Sequence, residues 1–142
     1  MRYSTKMLAL GTAMGAALAF TGPADAATGK AFYKDKTVKW IIATGTGGGH
    51  DYYARLFSRH MEKALPGSTF VTINRPGAGH RIGANLIYAA KPNGLTIGNF
   101  TTGLIYAQIM NLKGMRFDLA KMSWIGKGAS DIRVVSVAHD SK

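Results

Sequence analysis

Two glycine-rich stretches hold the residues best suited to chemistry. One is Gly45-Thr46-Gly47-Gly48-Gly49-His50-Asp51, the other Arg75-Pro76-Gly77-Ala78-Gly79-His80-Arg81. A dinucleotide fingerprint begun at Gly45 would put its last glycine at His50, and one begun at Gly47 would put it at Tyr52. A phosphate-binding P-loop would need a terminal Gly-Lys-Ser/Thr, which neither stretch has. From Gly77 to Gly83 the spacing is GxGxxxG, one residue off the dinucleotide pattern. What remains is physical. Glycines let backbone N–H groups approach a ligand closely, and a helix starting just after adds unpaired N–H groups and a partial positive charge. Each loop alone reads equally as an anion site made of backbone or as a tight turn. Two such loops on one edge, with Arg75 and Arg81 beside the second, favour an anion.

The histidines are His50, His60, His80 and His139. His50 and His80 sit in the two loops and could face one crevice. A small secreted hydrolase using either of them with Asp51 is an alternative function. The sequence has no HExxH, no GxSxG and no carboxylate set at metal-ligand spacing, so no catalytic residue, metal or cofactor is expected. With no cysteine among the 142 residues, disulfides and thiolate metal sites are excluded.

The elements that must position these loops repeat in order. Val38–Ala43 is β-rich and stops at glycines, so it reads as a buried strand. After the first loop Asp51 can cap a helix, whose apolar face is Tyr53, Phe57, Met61 and Ala64/Leu65. Thr69–Ile73 is a second strand. The helix expected over 80–90 carries Ile82, Leu86, Ile87 and Ala90. Leu95–Phe100 is a third strand, and Thr101-Thr102-Gly103 leads into a helix near Leu104–Leu112. Met122–Ile125 and Ile132–Ala138 are further strand candidates, with Trp40 and Trp124 in the core. Residues 27–36 read as a polar lead-in. Strand, glycine loop, helix in succession predicts an α/β fold with a mostly parallel sheet flanked by helices. Ligands bind such sheets at the carboxyl ends of the strands, which puts both glycine loops and the Thr101-Thr102 loop on one edge.

The amino terminus is of another kind. Arg2 and Lys6 precede the uncharged, mostly apolar run Met7–Phe20, and Ala24-Asp25-Ala26 supplies small residues for a signal peptidase. Residues 1–26 are expected to be a signal peptide cleaved after Ala26, leaving one domain over 27–142. The apolar run is shorter than the roughly 20 residues that cross a bilayer. Removing Arg2, Lys6 and Asp25 from 18 Lys plus Arg and 7 Asp plus Glu leaves a net charge of about +10. That field attracts anions. The cations are scattered, which speaks against a nucleic-acid stripe; a basic surface-binding exported protein is a second alternative.

The segments "FYKDKTVKWIIATGTGGGHDYYARLFSRHMEKALPG", "VTINRPGAGHRIGANLIYAAKPNGLTIGNF" and "RFDLAKMSWIGKG" resemble the receptor proteins of tripartite tricarboxylate transporters, the Bug family. The similarity runs from about Phe32 to Val137. It implies a periplasmic solute-binding receptor, not an enzyme, with a two-lobed fold of the type II periplasmic-binding-protein kind closing on a small carboxylate, and with membrane permease subunits as partners. It also implies that Gly47, Gly48, Gly49 and Asp51, and then Pro76, Gly77, Ala78 and Gly79, line the ligand cleft. Thr101 and Thr102 are added from the third loop. The chain departs from the pattern at Thr46, where the family often has proline. Family members are about twice as long, so a second lobe is expected to begin after His139 and the chain to hold an incomplete first lobe. A sheet short of its returning segment would leave strand edges and apolar surface uncovered.

Overall fold

The central strand β1 (Thr37–Ile42) is short, β-branched and apolar on alternate positions, with Val38 and Ile42 buried. A computed structural model describes residues 29–130 of the chain. In it β1 lies between β2 (Thr69–Asn74) and β3 (Thr96–Asn99), all three parallel. The α/β architecture read from the sequence is therefore present, as a three-stranded parallel sheet flanked by helices. Ile42 stands level with Asn74 on one side and Asn99 on the other, so the three strands end together.

Helix α2 (Gly49–Ala64) joins β1 to β2, and α3 (Arg81–Tyr88) carries the chain back across β1 to β3. The two crossovers run in opposite lateral directions. Right-handed connections then put the helices on opposite faces. The contacts agree: Trp40 stacks on Phe57 of α2 with ring centroids 6.4 Å apart, while Gly83 of α3 lies against Ala43. Helix α4 (Gly103–Ile109) follows β3. It packs Leu104 and Ala107 into a cluster with Ala84 of α3, Phe117 and Leu119.

Several sequence expectations need correction. The lead-in holds a short helix, α1 (Gly29–Tyr33), tied down by the Tyr33 hydroxyl donating to the Gly94 carbonyl. Helix α2 starts at Gly49 with Gly48 as its N-cap, so Asp51 stands inside its first turn and not before it. The buried residues of α2 are Asp51, Ala54 and Ser58, while Tyr53 is exposed. In α3 the buried pair is Gly83 and Ala84, with Ile82 and Leu86 exposed. Small residues face the sheet in both helices because they let helix and strand approach closely. Met122–Ile125 forms no strand. It pairs with no sheet edge among the described residues, and a β-rich run without a ladder keeps no strand geometry. Trp124 is 60% exposed, not core; its indole N–H donates to the Leu119 carbonyl. The signal peptide, Ile132–Ala138 and His139 lie outside the described residues.

The two sheet edges differ. At β2 the outward N–H of Phe70 donates to the Glu62 carboxylate at 2.7 Å, which blocks further pairing there. At β3 the strand Thr-Ile-Gly-Asn carries no charge. Beyond it α4 turns Ile105, Tyr106, Ile109 and Met110 outward. No helix among the described residues is long and apolar enough to cross a membrane.

Candidate functional site

Because the strands are parallel and in step, the three loops that follow them meet at one edge. The first loop is held by a carboxylate. Asp51 is 6% exposed. Its Oδ2 accepts from the Gly47 N–H at 3.0 Å, and its Oδ1 accepts from Arg55 Nε at 3.0 Å and Asn74 Nδ2 at 2.9 Å. Arg55 also donates to Thr72 Oγ1 and Asn74 Oδ1. One helical turn separates Asp51 from Arg55, so the pair is an i,i+4 ion pair laid across the end of β2.

Two asparagines at the strand ends complete the hold. The Asn74 amide also donates to the Thr44 carbonyl. Asn99, the last residue of β3, donates from Nδ2 to the His50 carbonyl and accepts from Trp40 Nε1. Trp40, Arg55, Asn74 and Asn99 carry no site role in the sequence reading, where Trp40 is expected only as core. A signal existed: the Asp-x-x-x-Arg spacing, and an amide at the end of each of two β-rich runs.

Gly47 gives its N–H to Asp51, so it has none to offer a ligand. The N–H groups of Gly48, Gly49 and His50 donate to nothing among the described residues. The same holds for Gly77, Ala78, Gly79 and His80 in the second loop. These four residues run through φ values of 124, 48, 59 and 72° in succession. Glycine takes such values freely; Ala78 and His80 hold them against a steric penalty. Pro76 is exposed at the loop's start. In the third loop Thr101 accepts the Gly103 N–H on Oγ1 and the Leu104 N–H on its carbonyl. Thr101 thus takes up the first two N–H groups of α4. Thr102 is the exposed N-cap of α4.

The geometry brings His50 and His80 together, with ring centroids 5.9 Å apart and an edge-to-face angle of 74°. Burial, with the neighbouring His50 adding to it, holds the His80 pKa below its ordinary 6.5. Two buried side-chain atoms at this edge, Thr44 Oγ1 and His80 Nδ1, have no hydrogen-bond partner among the described residues. Asp51 hydrogen-bonds to neither imidazole, being taken up by Gly47, Arg55 and Asn74. No group of three or more metal-ligating side chains occurs among the described residues. A concavity of about 610 Å³ lined by Leu56, Arg59, His60, Glu62 and Lys63 lies along the second half of α2, away from both loops.

The Asp51 network makes a pH prediction. Hydrogen bonding from Arg55, then from the Gly47 N–H and Asn74, holds the Asp51 carboxyl well below its ordinary 3.8. A depressed carboxylate pKa gives stability that is present above the unfolded value and lost as pH falls below it. The chain is expected to lose thermal stability on acidification below about pH 4. Asp51→Asn should melt lower at pH 7 and show a smaller acid loss. Melting curves by circular dichroism from pH 7 to pH 2 check both; parallel curves for the two proteins would sink the assignment.

No family model matches the chain. Two curated relatives do. A UPF0065 protein of Bordetella bronchiseptica is 34% identical over 92 residues, covering 63% of this chain and 26% of its own length. A UPF0065 protein from the tcbD-tcbE intergenic region of a Pseudomonas species is 34% identical over 91 residues, covering 64% and 27%. The chain thus spans about a quarter of the length of the curated relatives it matches. Among solved structures, a TctC solute-binding protein from Polaromonas shares 29% identity at a TM-score of 0.53, over 58% of this chain and 28% of that one. The periplasmic binding protein BugD shares 33% identity at a TM-score of 0.44, over 46% and 22%. The resemblance read from the sequence is thereby met: the neighbour with a TM-score above 0.5 is a TctC solute-binding protein, and the curated relatives are UPF0065 proteins.

Proposed function

We propose that this chain forms one wall of a periplasmic solute receptor that captures a small carboxylate for a tripartite tricarboxylate transporter. In this reading residues 1–26 direct export and are removed after Ala26, and residues 27–142 make most of a first lobe. The opposing lobe corresponds to the length that the relatives carry beyond the matched part. Closure of the two lobes presents the loaded receptor to membrane permease subunits. No catalysis, metal or cofactor takes part.

The observation that carries the reading is the set of unspent N–H groups at the sheet edge. Gly48, Gly49 and His50 offer theirs at the start of α2; Gly77, Ala78, Gly79 and His80 offer theirs in the second loop. A carboxylate placed there would accept short N–H bonds and sit at the positive end of a 16-residue helix. Asp51 and Gly47 then serve by holding the loop, Pro76 by setting its entry, and Thr101 and Thr102 by lining the third side. Arg55 does not supply the charge, being committed to Asp51, Thr72 and Asn74.

Titration calorimetry with a panel of mono-, di- and tricarboxylates is the test. At least one is expected to bind, and Gly49→Pro, which removes one free donor, is expected to weaken it about tenfold, since a lost hydrogen bond to a charged group is worth roughly 1.5 kcal/mol or more. No heat from any member of the panel would sink the carboxylate assignment.

A further inference from the structure

We propose that His50 and His80 are specificity-determining residues of this edge, a paired imidazole site that takes up a proton together with the anion. The proposal rests on the anion-site reading above and adds to it what the ligand must bring or meet.

The pair is assembled from two separate loops, one after β1 and one after β2, and its rings touch edge to face at 5.9 Å. Its geometry is not the least-strain solution. His80 stands at φ 72° directly after Gly79 at 59°, a backbone state in which glycine would meet no Cβ penalty. The histidine side chain is thus held where the backbone resists it, and strain of this kind concentrates at working sites. Its Nδ1 is buried without a partner among the described residues. Both residues also contribute free backbone N–H groups to the same edge.

The surrounding charges leave the pair responsive. From α2, Asp51 is closed off by Gly47, Arg55 and Asn74. From α3, the Arg81 side chain lies beside Gly79 and Gly114. Arg75 at the start of the second loop is exposed, as are Lys113 and Arg116 from the segment after α4. Among the described residues no carboxylate hydrogen-bonds or ion-pairs with either imidazole. Burial and His50 together hold His80 toward its neutral form. An anion bound among the free N–H groups changes the balance, because opposite charge within a few ångströms favours the protonated ring. A base whose pKa rises on binding takes up a proton, so affinity must increase as pH falls through the raised pKa of the bound state.

The test is isothermal titration calorimetry on the 142-residue chain with succinate and with inorganic sulfate, at pH 8 and pH 6, in two buffers of different ionisation enthalpy. Sulfate keeps its charge over this range and so separates protonation of the protein from that of the ligand. Binding is expected to tighten about tenfold from pH 8 to pH 6, with net proton uptake. His80→Gly relieves the backbone and should melt no lower than the parent, yet lose most of the pH dependence; His50→Gln should lose it as well. A structural role alone would move melting and leave proton uptake in place. Equal affinity at both pH values without uptake, or a His80→Gly variant that keeps the dependence, overturns the proposal and leaves the carboxylate reading standing. No binding of either anion at either pH overturns both.

Discussion

Gly83→Ala is expected to destabilise the chain by about 2 kcal/mol and to loosen the second loop, although alanine is the better helix former. A Cβ at Gly83 would lie 2.5 Å from Ala43 Cβ, 2.6 Å from Ala43 Cα and 3.0 Å from the Arg75 carbonyl oxygen. Two of these three neighbours are backbone and cannot rotate away. Relief requires α3 to move off β1, and α3 begins one residue after the loop that carries Gly77–His80. Helix propensity returns about 1 kcal/mol to alanine, whereas forcing atoms into a packed contact costs roughly 1–3 kcal/mol and more where backbone must shift. The clash wins. Gly45→Ala is the control, since nothing lies within 4 Å of a Cβ there. Urea melts of both variants decide the matter: a Gly83→Ala midpoint equal to that of the parent would show that α3 does not sit as close to β1 as this. The same contact gives the third glycine of GxGxxxG its purpose, which is helix–strand approach and not nucleotide binding.

The order of elements was legible because each is announced locally. Val38–Ala43 and Thr69–Ile73 are β-rich and bounded by glycines, and the helices between them carry apolar residues at spacings of three and four. Parallel pairing then brings the loops to one edge, which is why the sequence alone places His50 and His80 in a common crevice. The orientation of the helices was less legible. Apolar spacing shows that a helix has a face but not what lies on it. In α2 and α3 the residues against the sheet are Ala54, Ser58, Gly83 and Ala84, chosen for closeness, while Tyr53, Ile82 and Leu86 stay outside. Ser58 can be buried because its hydroxyl donates to the Ala54 carbonyl. The scaffold of the site was least legible. Asn74 and Asn99 are single polar residues at strand ends, with no periodicity to mark them, and their value comes from partners 19 to 59 residues away. The role of Asp51 was misplaced for a related reason. Its type fits a helix cap, but two further helical residues precede it, so its carboxylate reaches back to Gly47 and across to Arg55 and Asn74.

Ile42→Ala should be the most damaging single truncation of the core, at about 3–4 kcal/mol. Ile42 is 0% exposed and lies at the end of the central strand. Removing its outer carbons leaves a cavity on a central strand flanked by β2 and β3, which cannot collapse as a surface site could. The loss weighs heavily here because the core is thin. Among the ten buried apolar residues of the described region, four are alanines, and a domain of this size commonly has only about 5–15 kcal/mol in hand. The position matters for the site as well. The Ile42 carbonyl accepts the Arg75 N–H that opens the second loop, and the next residue, Ala43, donates to the carbonyl of Asn99 at the end of β3. Ile42 is therefore the point from which all three loops depart. Ile42→Val, which keeps the β-branch and removes one carbon, is expected to cost about 1 kcal/mol. If the edge works as one unit, Ile42→Ala should weaken anion binding more than Leu104→Ala, whose cluster lies beneath α3 and α4, even where the two variants are matched in stability by choice of temperature. Equal weakening in the matched pair would mean that the loops fail only through global unfolding, and that the strand ends do not organise them.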